Sequence, residues 1–272
     1  MRIGAHQSIS GGFTTPLESI SAKGGNALQI FASSPRFWTQ PDVSDEVALE
    51  FVQKKEELDI DPIYFHACYL INLANTEKGG YASVSTLTKE LKLASRMHIR
   101  GSIIHLGSFT NGTYEKLIPN IQKVIQDTPE DTVFIAENAG TRKIGTTLEE
   151  LGKIVKDVDS DRLKICLDTC HLHAAGYDLS TKKSFEDFFM QFDKLIGMEK
   201  LEVIHVNDSR DPFGSNRDRH ENLGEGMIPS MVFDQIVNNP LTKEIPCILE
   251  TPGFDKKGPD KKNIDILKSF VK

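Results

Sequence analysis

A chain of 272 residues with 39% hydrophobic and 26% charged side chains has the make-up of an ordinary globular protein, long enough to bury one large core or two small ones. Its net charge of −7 excludes a generally basic protein that coats DNA without specificity. It does not exclude a phosphate-bearing ligand, because three bound divalent cations would bring the balance to about −1 and concentrate positive charge in one place.

The first strand is expected at once, over 2–6, which leaves no room for a signal peptide. A helix over 14–24 follows, with Pro16 near its start and Gly24-Gly25 at its end. The same alternation then continues. Strands are expected near 26–31, 61–65, 101–106, 132–137, 164–168, 201–206 and 246–250, and helices near 44–58, 82–98, 113–127, 146–157, 184–197, 229–239 and 261–270. Pro41 and Pro129 punctuate the intervals. No apolar run approaches the roughly 20 residues that span a bilayer, so no membrane partner is expected. Cys68, Cys166, Cys170 and Cys247 form no CxxC pair and are expected to be reduced thiols in a cytoplasmic protein.

Eight βα units in this length predict a single (β/α)8 TIM barrel over residues 1–272. The competing architecture is a doubly wound open sheet. The strand ends decide between them. Seven of the eight apolar runs finish on a histidine or carboxylate: His6, His66, His105, Glu137, Asp168, His205 and Glu250. In a barrel all of these face one mouth, whereas in an open sheet the outer ones would lie far from any shared site.

An ionised carboxylate beside a core needs a positive partner, and no Lys or Arg occupies an equivalent strand end. Bound metal supplies that charge. Loops add three further candidates: His171 just past the sixth strand, and, after the seventh, Asp218 with His220 in a Gly-rich loop running from Asn207 to Gly226. Mixed imidazole and carboxylate donors suit zinc, manganese or iron, and thiolate-poor sites of this kind are usually catalytic. Apart from His6, these nine candidates imply two or three ions if one carboxylate bridges.

Each residue alone also has a plainer reading. A lone His after a strand is more often a hydrogen-bonded core or surface residue. Glu137, Asp168 and Glu250 could each cap a helix or pair with a base such as Arg142 or Arg219. Joint occurrence around one mouth favours metal. His6 lacks a spacing partner and is expected to support the ligands from behind. His173 and His98 are read as structural, His98 standing at a helix C-terminus where a cation is favoured anyway. Ser33-Ser34-Pro35-Arg36-Phe37-Trp38 and His66-Ala67-Cys68-Tyr69-Leu70-Ile71-Asn72 either pack over the rim or present Arg36, Tyr69 and Leu70 as a minor-groove reader and a wedge between bases.

Several longer pieces, in order, carry a resemblance: Gly4-Ala5-His6 with Gly11-Gly12, His66 through Leu73, Glu137-Asn138-Ala139-Gly140, Cys166-Leu167-Asp168-Thr169-Cys170-His171, His205-Val206-Asn207-Asp208-Ser209, Asp218-Arg219-His220 with Gly224-Glu225-Gly226, and Leu249-Glu250-Thr251-Pro252. Over its whole length the chain resembles endonuclease IV, the zinc-dependent second family of apurinic/apyrimidinic (AP) endonucleases.

That resemblance implies three zinc ions, with manganese or iron as substitutes. His66 and His105 would hold one ion with Glu137. Glu137 would bridge to a second held by Asp168, His205 and Glu250, and His171, Asp218 and His220 would hold the third. It implies hydrolysis of the phosphodiester 5′ to an abasic site in duplex DNA, giving a 3′-hydroxyl and a 5′-deoxyribose phosphate, with removal of blocked 3′ ends besides. The nucleophile would be a hydroxide held between the first two ions, with Glu250 helping to orient it. Arg36, Tyr69 and Leu70 would enter the bent DNA, Arg219 would contact a phosphate, and the protein would act as a monomer. Two other readings compete: a metal-dependent sugar isomerase or epimerase on a similar barrel, and a catalytically silent lesion-binding protein. The first leaves His171, Asp218 and His220 without a use, and the second would be signalled by a lost ligand.

Overall fold

The structure is a computed structural model. It describes residues 1–38, 43–140 and 143–272; Pro41 and Arg142 lie outside the described residues.

In chain order the strands are β1 Ile3–Gln7, β2 Ala27–Phe31, β3 Ile63–His66, β4 Gly101–Ile104, β5 Val133–Glu137, β6 Leu163–Asp168, β7 Leu201–His205, β8 Asp208–Ser209, β9 His220–Glu221 and β10 Cys247–Leu249. The helices are α1 Thr15–Ala22, α2 Asp45–Glu57, α3 Lys78–Arg96, α4 Tyr114–Gln126, α5 Leu148–Val158, α6 Thr169–Ala175, α7 Lys182–Leu195, α8 Ser230–Asn238 and α9 Lys261–Ser269. β1 to β7 pair successively in parallel, β10 pairs with both β7 and β1, and the sheet closes. The expected (β/α)8 barrel is the observed fold. Side-chain caps start several helices where the sequence offers an acceptor: Ser44 on α2, Thr147 on α5, a reciprocal Thr181/Ser184 box on α7 and Asp260 on α9.

Alternation along each strand divides the apolar residues into two populations. Leu28, Phe65, Ile104, Phe134, Leu167 and Leu249 belong to the large core that also takes in the helices' apolar residues. Burial of about 1.5–3 kcal/mol per such side chain is the main drive for closing the barrel. Ala27, Tyr64, Ile103, Val133, Ile135, Cys166, Val203 and Ile248 form a separate cluster, the filling of the barrel itself. Two residues further along the same strands, with the same facing, come Gln29, His66, His105, Glu137, Asp168, His205 and Glu250. The candidate ligands are therefore the top layer of the filling.

Four local features differ from the sequence reading. His171 is not in a loop but in α6, a helix that Asp168 caps and Gly176 ends at φ 90°. The stretch from Asn207 to Gly226 is not wholly loop, since β8 and β9 pair antiparallel within it. His105 and Glu250 each stand one residue beyond the last ladder position of β4 and β10. Finally, α3 begins at Lys78, not near 82. Its Gly79-Gly80 pair dilutes the helical signal, yet Gly80 is needed there because a Cβ would sit 2.2 Å from the Asn75 carbonyl oxygen.

Candidate metal centre

Glu137 is the hub of the mouth. Its Oε2 lies 3.3 Å from His66 Nε2 and 3.4 Å from His105 Nδ1, and its Oε1 lies 3.2 Å from His205 Nδ1 and 3.4 Å from His171 Nδ1. Among the described residues five groups of donor atoms lie within 4.8 Å of one another. Three hold only imidazole and carboxylate donors, namely His66, His105 and Glu137; Glu137, Asp168, His205 and Glu250; and His171, Asp218 and His220. The other two add Cys166 to Glu137 and His205, and Cys170 to Asp168 and His220. His6 stands behind the second set, its Nδ1 4.0 Å from Glu250 Oε1.

Four of the five candidate histidines have one ring nitrogen occupied by a protein oxygen. His66 Nδ1 lies 2.9 Å from the Ala67 carbonyl, His171 Nδ1 2.8 Å from that of Asn138, and His220 Nδ1 3.3 Å from that of Glu250. His205 Nε2 is 2.8 Å from Gln29 Oε1. Each of these acceptors can only receive a proton, so the opposite nitrogen is the one left to give a lone pair to a cation once it is deprotonated. These are Nε2 of His66 beside Glu137, of His171 beside Asp218 and of His220 beside Asp168 and Asp218, and Nδ1 of His205 beside Glu137 and Glu250.

Two buried nitrogens test whether a cation fits. His105 Nδ1 and His220 Nε2 have no hydrogen-bond partner among the described residues, although His220 Nε2 lies 3.4 Å from Asp218 Oδ1 and 3.5 Å from Asp168 Oδ2. An unsatisfied buried group of this kind costs about 1–3 kcal/mol, a deficit that a coordinated ion removes.

Electrostatics keep Glu137, Glu250 and Asp218 ionised. Burial alone would raise Glu137, but His105, His205 and His66 outweigh it and hold the carboxyl well below the usual carboxylate range. Glu250 behaves alike, burial being overcome chiefly by His205. Asp218 is brought down to about 2 because His171 and His220 overcome its burial. Among the imidazoles, burial pushes His105 down to about 4 despite Glu137, whereas Asp168, Asp218 and Glu137 overcome burial and push His171 up to about 10. The result is a buried, anionic, imidazole-rich pocket that a divalent cation can neutralise.

The pocket opens into a cleft of about 280 Å³ bounded by Phe31, Tyr69, Thr251 and Pro259, and shares His6, Phe31, Gly258 and Pro259 with a groove of about 700 Å³ lined by Ser8, Ser10, Lys23 and Lys257. Tyr69 and Leu70 are 65% and 40% exposed at the rim, and Arg36 is exposed beside them. The Tyr69 N–H donates to the Pro35 carbonyl at 3.1 Å, which ties the two rim loops together. Arg219 makes a bidentate pair with Asp211 at 2.7 and 2.5 Å while its side chain stays about half exposed. His173, against Phe213 and the Asp211 carbonyl, lies apart from the donor sets.

Sequence reasoning missed the residues that hold the candidate ligands. Asn138 Oδ1 accepts the Asp168 N–H at 2.6 Å. Asn207 Nδ2 donates to Asp168 Oδ2, and its Oδ1 accepts the Glu250 N–H at 2.8 Å. The buried Asp208 carboxylate receives the N–H groups of Gly224, Gly226 and Ile228, fastening the loop after His220. Gln29, fully buried in β2, joins His205, Glu250 and His6. For Gln29 a polar side chain at an inward strand position was the available signal; Asn138 and Asn207 lie just beyond the ends of β5 and β7, and Asp208 in the short β8.

A family model described as "Xylose isomerase-like TIM barrel" matches residues 17–270. The chain is 40% identical to a probable endonuclease 4 of Thermosipho africanus, covering 93% of each protein, and 36% identical to one of Natronomonas pharaonis, covering 94% of each. The crystal structure of endonuclease IV from Thermus thermophilus superposes with a TM-score of 0.89 at 31% identity, covering 99% of this chain and 98% of that one. A D-tagatose 3-epimerase-like protein shares the fold, with a TM-score of 0.73 at 20% identity. The resemblance read from the motifs is borne out, and the chain belongs to the endonuclease IV family within the xylose isomerase-like TIM barrels.

Proposed function

We propose that the protein is a DNA-repair AP endonuclease, hydrolysing the phosphodiester 5′ to abasic sites in duplex DNA and trimming blocked 3′ ends. The observation that carries this reading is the joining of three donor sets at one barrel mouth, with Glu137 common to two of them, in a chain related to endonucleases 4 over nearly its full length. Zinc, or manganese or iron in its stead, would be held by His66, His105 and Glu137, by Glu137, Asp168, His205 and Glu250, and by His171, Asp218 and His220. Bound ions would supply acidification of a water and neutralisation of the scissile phosphate's oxygens.

The chain's own residues supply the rest. Glu137 and Glu250 are the catalytic carboxylates: Glu137 holds the first two sets in register, and Glu250, exposed to the cleft, orients the attacking water. Leu70 and Tyr69 wedge into the stack while Arg36 enters the minor groove, keeping the duplex bent as the abasic sugar turns outward. A missing base makes that turn cheapest at the lesion itself. Arg219 contacts a phosphate by exchanging Asp211 for it, and His6 braces Glu250. The protein acts as a monomer on damaged double-stranded DNA in the cytoplasm.

The test is metal analysis together with incision of a duplex carrying a single tetrahydrofuran abasic analogue. Expected are two to three zinc equivalents and cleavage on the 5′ side leaving a 3′-hydroxyl, resistant to brief chelation and lost after prolonged stripping. Metal-free protein that cleaves, or loaded protein that leaves the analogue intact, overturns the proposal.

A further inference from the structure

Of the polar side chains inside the barrel below the cleft, Gln29 has contacts that the reaction scheme leaves unexplained. Strand β2 ends on Phe31 and offers no ligand, yet its inward residue two steps earlier is a fully buried amide. β2 runs beside β1, with Gln29 in register with His6, and the closed sheet brings β10 and β7 within its reach. Gln29 Oε1 lies 2.8 Å from His205 Nε2. Its Nε2 donates to Glu250 Oε1 at 2.6 Å and lies 3.0 Å from His6 Nδ1.

The amide has only one orientation compatible with these partners. Turned over, it would set its carbonyl oxygen 2.6 Å from Glu250 Oε1, two acceptors with no proton between them. As it stands, an oxygen that cannot donate faces His205, so the proton of that bond belongs to His205 Nε2. The other ring nitrogen, Nδ1, then faces Glu137 at 3.2 Å and Glu250 Oε2 at 3.3 Å. On the opposite side, both amide protons are committed, one to Glu250 and one to His6. Glu250 Oε1 is therefore occupied and its Oε2 is the oxygen left for a cation. His6 Nδ1 is the acceptor, which puts its proton on Nε2.

The geometry points to Gln29 as the positioning residue of the second donor set, selecting His205 Nδ1 and Glu250 Oε2 as the coordinating atoms in a single contact network. This rests on the metal-centre reading given above. It goes beyond it by assigning which atom of each ligand is used and which residue makes the selection. No ordinary strand requirement explains a glutamine here, because a buried apolar residue fills an inward position at no desolvation penalty.

The experiment compares wild-type protein with Gln29→Met, which keeps the volume and removes every hydrogen bond. Both are stripped and titrated with Zn2+ against a competing chelator, and unfolding of the stripped proteins is followed alongside. In wild type the zinc equivalents bind. In Gln29→Met one equivalent is expected to weaken by about ten- to hundredfold while the others keep their affinity. Activity, measured separately, is expected to fall in kcat with little change in KM. A second measurement needs no variant: ¹⁵N-histidine spectra of the zinc-loaded wild type. His205 should carry zinc on Nδ1 and a proton on Nε2, and His6 a proton on Nε2. Equal zinc affinity in the folded variant, or zinc on His205 Nε2, overturns the assignment. A wild type that takes up no zinc instead overturns the metal-centre reading, so the two failures are distinct.

Discussion

Asn207 Nδ2 donates to Asp168 Oδ2 at 2.7 Å, and neither residue has any exposed surface. The other oxygen of Asp168 is already engaged in capping α6, accepting from Cys170 N at 2.6 Å and His171 N at 3.1 Å. One aspartate thus starts the helix that carries His171 and turns its remaining oxygen toward His205 and His220. Replacing Asn207 by Leu would leave the Glu250 N–H unpaired and free the Asp168 oxygen to swing. We expect a loss of about 1–3 kcal/mol in the unfolding of metal-free protein by urea. Zinc affinity should fall about ten- to hundredfold. Full zinc occupancy at limiting metal in the Leu variant would show that the amide is dispensable.

Glu137 serves two donor sets, so its loss should be felt at both. Glu137→Gln keeps the shape but removes the charge shared among His66, His105, His171 and His205. At least one zinc equivalent and nearly all abasic incision should disappear, as read by metal analysis and a single-turnover cleavage assay. A fully loaded, fully active variant would refute the bridging role.

At the rim, Tyr69 and Leu70 are exposed and outside all three donor sets. The double variant Tyr69→Ala with Leu70→Ala should therefore bind the normal complement of zinc. Its affinity for abasic duplex should drop roughly ten- to hundredfold, in line with the loss of stacking contacts. Unaltered binding in an electrophoretic or fluorescence assay would remove the wedge.

The pH response of the metal-free protein follows from His171 and Asp218, 3.1 Å apart. His171 is raised from its ordinary 6.5 to about 10, so its stabilising contribution is whole below 6.5 and is lost as pH climbs to 10. Asp218 is lowered from 3.8 to about 2, so its contribution is whole above 3.8 and is lost as pH falls toward 2. A cation must displace the His171 proton, so near neutrality zinc uptake by this set should strengthen about tenfold per pH unit and release a proton. Calorimetry in buffers of different ionisation enthalpy measures that release; a pH-independent uptake would contradict it.

The barrel and the donor residues were readable because both follow a strict period. Strand alternation and the repeated βα unit announce themselves locally, and His66, Glu137 or Asp168 interrupts an apolar run at a place where burial is otherwise expected. Gln29 escaped because it lies inside its run, not at the end, and its partners come from β1, β7 and β10, far away in sequence. Helix α6 escaped for another reason: capping is one of two readings open to Asp168, its charge is favoured by the other strand ends, and Gly176 alone gives little sign of the helix's other end. The grouping of ligands into sets depends on distances across the mouth, which spacing along the chain does not encode.

Beneath the donor layer, Tyr64, Ile135, Cys166, Val203 and Ile248 are wholly shielded from solvent. That packed floor makes the cleft a dead end. Whatever enters from the rim side must leave by that side, through the cleft or the groove that shares His6, Phe31, Gly258 and Pro259 with it, so a cleaved strand and its replacement approach and depart over the same face of the barrel.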